Sequence, residues 1–188
     1  MLGQVKEFNF DMKYFDEIKR SMNFLGKNKK TIFLGQAVSV PGTAMYNTLT
    51  EVNKKKRLEL PVTEEMQMGI TLGLAMKGFI PVTVYPRWNF LLLATNQLVN
   101  HLDKISKISN NKIKPHIIIR TAVGSKKPLD PQSQHKGDFT RAYKMMCKNI
   151  DFYFLKDSKD IFKSYKKVMQ NKNRISLLVE VADFYNEK

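Results

Sequence analysis

Hydrophobic and polar residues follow two patterns that alternate along the chain. Short runs rich in β-branched residues predict strands, and longer stretches with an apolar residue every three or four positions predict helices. The predicted strands are TIFLGQAV, KRLEL, FIPVTVY, PHIIIRTA, DFYFLK and ISLLVEVA. Strands that alternate with helices indicate an α/β fold, in which a parallel sheet forms the middle of three layers and helices cover both faces.

The sequence also indicates where the intervening helices begin and end. The sequence DSKD, which precedes IFKSYKKVM, offers Asp157 or Ser158 as an N-terminal cap. A stretch without periodicity between Val123 and Thr140 predicts a long loop, and loops of that length are often functional. The predicted helices cover residues 11–27, 42–52, 64–77, 89–109 and 140–148, with one more that begins at Ser158 or Asp160.

Length and composition set broad limits. A chain of 188 residues is expected to form a single domain over residues 1–188. No apolar run approaches the roughly 18 residues of a membrane span, and the N-terminal residues do not read as a secretory signal. Cys147 is the single cysteine, so no internal disulfide is expected and a reducing cytoplasm is the expected location.

The formal net charge of +15 raises the question of a partner. Three interpretations stay open, in decreasing order of preference: a solvated surface, an acidic partner subunit and nucleic acid. Nucleic acid is the least favoured because lysine dominates over arginine and many lysines fall in short polar connections. Those lysines are Lys27, Lys29, Lys30, Lys54, Lys55 and Lys56.

The predicted helix at 64–77 has an unusual composition. Gly69 and Gly73 lie four residues apart and therefore share one helix face. Because each glycine costs about 1 kcal/mol relative to alanine, a packing reason is expected. Two reasons are open: close packing onto the protein's own sheet, or a second helix from a partner that crosses there.

Two acids, Glu64 and Glu65, open the same helix. Their position has an ordinary explanation, since Thr63 is placed to cap the helix and acids in the first turn interact favourably with its positive end. Spacing alone favours that explanation. It does not identify a catalytic acid.

The order of these segments resembles the pyrimidine-binding domain of thiamine-diphosphate enzymes. The resemblance runs from about Thr31 to Val181 and is strongest to the N-terminal part of the beta subunit of 2-oxo-acid dehydrogenases, with transketolase as a more distant relative. Its most specific part is PVTE, followed by a glycine-punctuated helix and GFIPV. NQLVNHLDKI is similar to the helix that follows in that family.

The resemblance implies a role for Glu64. The essential glutamate of the family falls on this residue, where it hydrogen-bonds a ring nitrogen of the cofactor's aminopyrimidine and thereby assists proton removal from the thiazolium carbon. A carboxyl group at the end of an apolar helix is suited to share a proton with a ring nitrogen. Glu65 points about 100° away around the helix and does not share that role.

The resemblance is less direct at other positions. The family places an aromatic ring against the aminopyrimidine after the next strand, where Arg87 stands in an ungapped alignment. The neighbouring Tyr85, Trp88 and Phe90 are therefore the candidates for cofactor binding, although each also fits the edge of a core. Gln36 stands where the dehydrogenase subunits usually carry an acid.

The long loop supplies a second catalytic candidate. In the dehydrogenase subunits it contains a His-Ser-Gln element that handles substrate and acyl transfer. Gln132, Ser133 and Gln134 stand there without gaps, whereas a short insertion matches Gln134 and His135 instead. We prefer His135 as a group for proton transfer, with simple surface exposure as the alternative.

The resemblance also implies a partner. The family's Gly-Asp-Gly and Asn-Asn motif for magnesium and diphosphate is not found in the sequence, and neither is the C-terminal transketolase-type domain. We therefore expect no protein metal site here. We expect thiamine diphosphate to be shared with a partner subunit in a heterotetramer that decarboxylates a small 2-oxo acid or transfers a ketol unit. The alternative is a non-catalytic basic interaction module, with nucleic acid as one ligand class.

Overall fold

A computed structural model describes residues 13–126 and 130–186. Within these ranges six strands form one sheet: β1 Thr31–Gly35, β2 Arg57–Glu59, β3 Ile80–Tyr85, β4 Ile117–Val123, β5 Ile150–Leu155 and β6 Ile175–Val181. All neighbouring strands are parallel, in the order β2-β1-β3-β4-β6-β5. The predicted α/β class and all six predicted strands are confirmed.

Helices connect the strands. The α-helices are α1 Tyr14–Lys27, α2 Ala44–Asn47, α3 Glu64–Met76, α4 Trp88–Leu91, α5 Ile105–Ile108, α6 Thr140–Met146 and α7 Ser158–Gln170. Short 3-10 turns occupy Lys54–Lys56, Leu92–Ala94 and Ala182–Asn186, and a π-helix occupies Gln97–Leu102. Within the described ranges, no helix combines the length and the apolar character needed to cross a bilayer.

The sheet separates two hydrophobic cores, because successive side chains of a strand point to opposite faces. On one face, Ile118 of β4 packs in a cluster with residues of α1 and α7. On the other, Ile117 and Ile119 pack with Met68 of α3 and with Leu98 of the π-helix. The two cores account for the three layers predicted from the sequence.

Two predicted helices are shorter or less regular than expected. The helix predicted at 42–52 is confined to Ala44–Asn47. Beyond it, the hydroxyl groups of Thr48 and Thr50 donate to backbone carbonyls, and such local contacts compete with continuation of the helix. The single helix predicted at 89–109 is divided into four short segments. One cause is tertiary: Asp103, which follows the π-helix, accepts from the backbone N–H of Asn149 at 2.7 Å.

The helix ends give a mixed result. Asp157 caps α7, because its side chain accepts from the backbone N–H of Lys159. The prediction that Thr63 caps α3 is wrong. The Thr63 hydroxyl makes no cap hydrogen bond and donates instead to the carbonyl of Pro61 at 3.3 Å.

The glycine face of α3 is open. Gly69 and Gly73 are exposed, and an added Cβ at either position would meet nothing within 4 Å. Close packing onto the protein's own sheet is therefore wrong as an explanation of these glycines. The apolar side chains of Met66 and Met76 on this helix are also exposed, at 47% and 55%.

A buried ion pair lies between two neighbouring strands of the sheet, β4 and β6. Arg120 of β4 donates through Nε and Nη2 to the carboxylate of Glu180 on β6, at 2.6 and 2.9 Å, and both side chains are fully buried. The hydroxyls of Tyr165 and Tyr185 donate to the same carboxylate. Burial lowers the pKa of Arg120, but the Glu180 carboxylate more than offsets this effect, so the guanidinium stays charged.

Candidate functional site

A cavity of about 500 Å³ lies beyond the carboxyl ends of the strands. From β1 the chain first adds β2 on one side of β1 and then crosses over to add β3 on the other side. The direction in which strands are added to the sheet therefore reverses between β1 and β3. In open α/β sheets, ligands bind in the crevice at such a reversal. The lining residues are Gln36, Ala37, Val40, Pro41, Gly42, Thr43, Ala44, Met45, Glu59, Pro86, Arg87, Phe90, Ser125, Ala182 and Tyr185.

Glu64 is buried beside this cavity. It is the first residue of α3, is only 4% exposed, and accepts a hydrogen bond from Nε2 of Gln36, with 3.0 Å between Nε2 and Oε1. Its backbone carbonyl accepts from the hydroxyl of Tyr85 at 3.1 Å. Gln36 lines the cavity and Glu64 does not, so Gln36 joins the acid to the cavity wall.

The helix that carries Glu64 is anchored to the sheet one turn later. The buried amide of Gln67 donates to Thr83 Oγ1 and to the carbonyl of Val84, each at 2.9 Å. Gly35 permits this approach, because an added Cβ there would lie 2.3 Å from the Val84 carbonyl and 2.5 Å from Gln67 Nε2. Gly35 also has a positive φ of 129°, which favours glycine.

Glu59 organises the loop that carries Gln36. Its carboxylate accepts from the backbone N–H groups of four successive residues, 37–40, at 2.5 to 3.2 Å. Consecutive N–H groups that converge on an anion form an anion-binding nest. Here the anion is part of the protein, so the contact holds the loop after β1 in place. Glu59 was not among the residues predicted from the sequence, although its position at the carboxyl end of β2 is a usable signal.

The three aromatic candidates occupy different environments. Phe90 lines the cavity. Trp88 is fully buried and packs against Tyr143 at 4.9 Å between ring centroids and against Phe139 at 6.4 Å. Tyr85 is fully buried at the end of β3, and burial raises the pKa of its hydroxyl well above the ordinary value. Of the three rings, Phe90 is the one that faces the cavity.

His135 lies next to the cavity rather than in its wall. Its ring packs against Phe90 at 5.1 Å between centroids. Its Nδ1 is buried and has no hydrogen-bond partner among the described residues. The fold therefore places His135 against Phe90, a residue of the cavity wall. In the sequence, 70 residues lie between Glu64 and His135.

Arg87 lies next to the long loop between Val123 and Thr140. Its Nη1 donates to the backbone carbonyls of Gly124 at 3.0 Å and His135 at 3.3 Å, which ties the two ends of the loop together. Burial lowers the pKa of the guanidinium, and the carboxylates of Asp130 and Asp183 oppose that effect. Arg87 is thus a partly desolvated cation in the cavity wall.

A shallower cavity of about 630 Å³ lies along β5 at the edge of the sheet. Its lining is basic and includes Lys144, Lys148 and Lys167. The acid in this lining, Asp151, is already bound by Arg174. It brings together none of the site residues predicted from the sequence, so the cavity beside Glu64 is the candidate functional site.

No family model matches the chain. In sequence it is similar to the pyruvate dehydrogenase E1 component subunit beta of Gracilaria tenuistipitata var. liui, with 26% identity over 127 residues that cover 65% of this chain and 39% of the relative. It is also similar to the 2-oxoisovalerate dehydrogenase subunit beta of Bacillus subtilis, with 26% identity over 60% of this chain and 36% of the relative. The chain thus spans less than half the length of these relatives.

Solved structures share its fold. A split-gene transketolase, described as an inactive beta4 tetramer, superposes with a TM-score of 0.68 at 14% identity, and the match covers 91% of this chain and 51% of that structure's chain. Transketolase from Campylobacter jejuni gives the same TM-score at 15% identity over 90% of this chain and 26% of its own. The chain has a transketolase-like α/β fold, and the resemblance predicted from the sequence is confirmed at that level.

Proposed function

We propose that this chain is the pyrimidine-binding subunit of a two-component thiamine-diphosphate enzyme. The reaction would be the decarboxylation of a 2-oxo acid or the transfer of a ketol unit. The observation that carries the proposal is the buried carboxylate of Glu64, held by Gln36 at the edge of a cavity in a transketolase-like fold. A buried acid of this kind at a concave site is a functional candidate on physical grounds.

The residues present fit the aminopyrimidine ring of the cofactor. A cavity of about 500 Å³ falls within the usual range for small-ligand sites. Phe90 offers an aromatic face to the ring, and Glu64 offers a carboxyl group for a ring nitrogen. When bound, thiamine diphosphate supplies an electron sink for cleavage of the bond next to the substrate carbonyl.

Gln36 determines which oxygen of Glu64 is available. An amide N–H₂ group donates and cannot accept, so Glu64 Oε1 is occupied as an acceptor. Oε2 has no hydrogen-bond partner within the described ranges, and it is the atom that holds or releases a proton toward a ring nitrogen. Gln36 thereby orients the acid without taking part in proton transfer.

His135 is the second proton-transfer group of the proposal. Its Nδ1 is sequestered from solvent, and its ring rests on Phe90. An imidazole at this position is suited to exchange a proton with a substrate oxygen, because its ring nitrogens can both donate and accept a proton. Tyr85 and Trp88 are packed inside the core, where they would stabilise the elements that carry the site residues.

A partner subunit completes the proposed site by holding the diphosphate and magnesium, in a heterotetramer. The similar proteins are described as a subunit beta and as a tetramer of a split-gene transketolase. The open face of α3 contains Gly69 and Gly73 and begins just over one helical turn after Glu64. An open face at this position supports contact with a second polypeptide close to the site. Small residues allow two helix backbones to approach closely.

The test uses the full chain together with the product of its neighbouring gene. We expect the complex to bind thiamine diphosphate and to turn over a 2-oxo acid or a ketose. Glu64→Gln should reduce turnover by about 10²- to 10⁴-fold and leave assembly intact. Glu65→Gln, which alters an exposed acid on the same helix turn, is the matched control and should change the rate by less than about twofold.

Two results would contradict the proposal. One is a Glu64→Gln complex that keeps more than about a tenth of the wild-type rate. The other is a stable complex that does not bind thiamine diphosphate at all. Assembly is followed by size-exclusion chromatography, so a loss of activity through failed association is recognised separately.

A further inference from the structure

We propose that Arg87 is the anion-binding residue of the cavity and that it holds the carboxylate or phosphate of the substrate through its Nε and Nη2 atoms. This inference rests on the proposed function, because it names the part of the substrate that this cavity recognises. It assigns Arg87 a role that the sequence did not predict, since Arg87 occupied a position where the resemblance implied an aromatic ring.

The guanidinium of Arg87 is held on one side only. Nη1 donates to the carbonyls of Gly124 and His135, and these two contacts fix the plane of the group. Nε and Nη2 have no hydrogen-bond or ion-pair partner in the described part of the chain. Arg87 therefore contributes a fixed cation with two unused donors to the wall of the cavity.

Two other arginines of this protein show what the guanidinium edge formed by Nε and Nη2 binds. Arg120 uses Nε and Nη2 to hold Glu180, at 2.6 and 2.9 Å. Arg174 uses the same two atoms to hold Asp151, at 3.0 and 2.5 Å. Two parallel N–H groups match two oxygens of a carboxylate or phosphate. The equivalent edge of Arg87 is vacant for an external anion of the same shape.

The acids near Arg87 do not fill this role. Asp130 pairs with Lys136 and accepts from the backbone of Gln132. Asp183 accepts from the backbone N–H of Lys126 at 2.6 Å. Glu59, on the cavity wall, is occupied by four backbone N–H groups. These acids contribute negative potential but no direct contact with Arg87.

Partial burial makes the vacant edge a strong site. Desolvation lowers the pKa of Arg87, which means that the charged form is less well solvated here than in water. A ligand anion restores the lost solvation and gains two charge-assisted hydrogen bonds. The neighbouring cavity wall is largely apolar and includes Val40, Met45 and Phe90, so it suits a small ligand with one anionic end.

The experiment measures the protection of Arg87 from phenylglyoxal in the full-length chain, with modified residues mapped by mass spectrometry. The probes are pyruvate, which carries a carboxylate, dihydroxyacetone phosphate, which carries a phosphate, and the neutral ester methyl pyruvate. We expect at least one of the two anions to slow the modification of Arg87 several-fold and methyl pyruvate to have no such effect. Arg141, exposed on α6, is the matched control and should react equally in all samples.

Variants test the same contact by calorimetry with the anion that protects. Arg87→Gln should weaken binding by about tenfold or more, since hydrogen bonds to charged groups are lost. Arg87→Lys should retain part of the affinity because the charge remains, and Arg141→Gln should leave it within about twofold. The labelling experiment uses the wild-type chain, so it decides the question even if Arg87→Gln disturbs the loop.

The outcomes separate this inference from the proposed function. Protection by pyruvate alone or by dihydroxyacetone phosphate alone supports the site and identifies the anionic group. Protection by neither, or equal protection by methyl pyruvate, overturns it. If an anion protects Arg87 while Glu64→Gln leaves turnover unchanged, the anion site stands and the proposed function fails. If turnover requires Glu64 but no anion protects Arg87, only this inference fails.

Discussion

Gln36 donates its side-chain amide to the buried carboxylate of Glu64, with 3.0 Å between Nε2 and Oε1. The two residues lie 28 positions apart and come from different segments, the loop after β1 and the start of α3. Glu59 holds the loop after β1 through four backbone hydrogen bonds, and Gln67 anchors α3 to β3. The relative position of Gln36 and Glu64 is therefore set by two independent anchors.

The first prediction concerns Gln36. Gln36→Leu removes the donor and leaves Glu64 without its partner, so we expect turnover of the complex with its partner to fall by roughly tenfold, while the helix stays folded. Gln36→Glu replaces the donor by a second carboxylate that repels Glu64, so we expect it to lower turnover at least as much as Gln36→Leu. Steady-state kinetics of both variants provide the measurement. Wild-type turnover in both would show that the contact does not orient the acid.

The second prediction concerns the open face of α3. Gly69→Ala should stabilise the isolated chain by up to about 1 kcal/mol, because alanine favours the helix and the added methyl group meets no atom within 4 Å. The same methyl group should weaken association with the partner if a helix packs there. Urea unfolding measures the first effect, and titration of the partner measures the second.

Gly26 in α1 provides the control for that prediction. An added Cβ there lies 3.3 Å from Cγ1 of Val52, so Gly26→Ala meets the protein's own core. We expect it to give less stabilisation than Gly69→Ala and no change in association. Stronger association in Gly69→Ala would mean that the partner does not cross this face closely.

The third prediction concerns the buried ion pair. Glu180→Gln leaves the guanidinium of Arg120 buried without a counter-charge, and we expect the free energy of unfolding to fall by about 3 to 5 kcal/mol. Asp151→Asn breaks the half-exposed pair with Arg174 and should cost about 1 kcal/mol or less. Urea denaturation of both variants tests the contrast. Equal losses would show that burial does not govern the strength of these pairs.

The fourth prediction concerns Cys147. Burial raises the pKa of its thiol from the ordinary value of 9.0 to about 12, and the carboxylate of Asp103 adds to the effect. The folded pKa is above the unfolded one, so this contribution to stability is complete below about pH 9 and is lost as the pH rises toward 12. Urea unfolding across this range should show a shallower decline in Cys147→Ala than in wild type. Parallel declines would contradict the prediction.

The sequence predicted the scaffold because its signals are local. The continuous apolar run of β4 and the alternation of strands with helices follow from period and composition, and the structure reproduces them. The limits of the helix after β3 were not predictable in the same way. The interruption near Asp103 depends on Asn149, a contact across 46 residues that no local pattern contains.

Glu64 was predicted from a short motif, and the structure shows that its side chain is buried. Spacing alone explained the same acid as a helix-end residue, so the resemblance was needed to single it out. The three aromatic candidates could not be separated by sequence, because each lies within five residues of the others. The turn after β3 directs Phe90 toward the cavity and Trp88 into the core.

By itself, the sequence determined the fold class and the strand positions, since both depend on residues that are neighbours along the chain, and its resemblance to a known family singled out the candidate acid. Only the tertiary structure decided that Gln36, Glu59, Arg87 and Phe90 line one cavity and that the α3 glycines face outward. The physical reason is that parallel strands end at a common edge, where residues distant in sequence meet, and which groups remain unpartnered there depends on contacts over the whole chain.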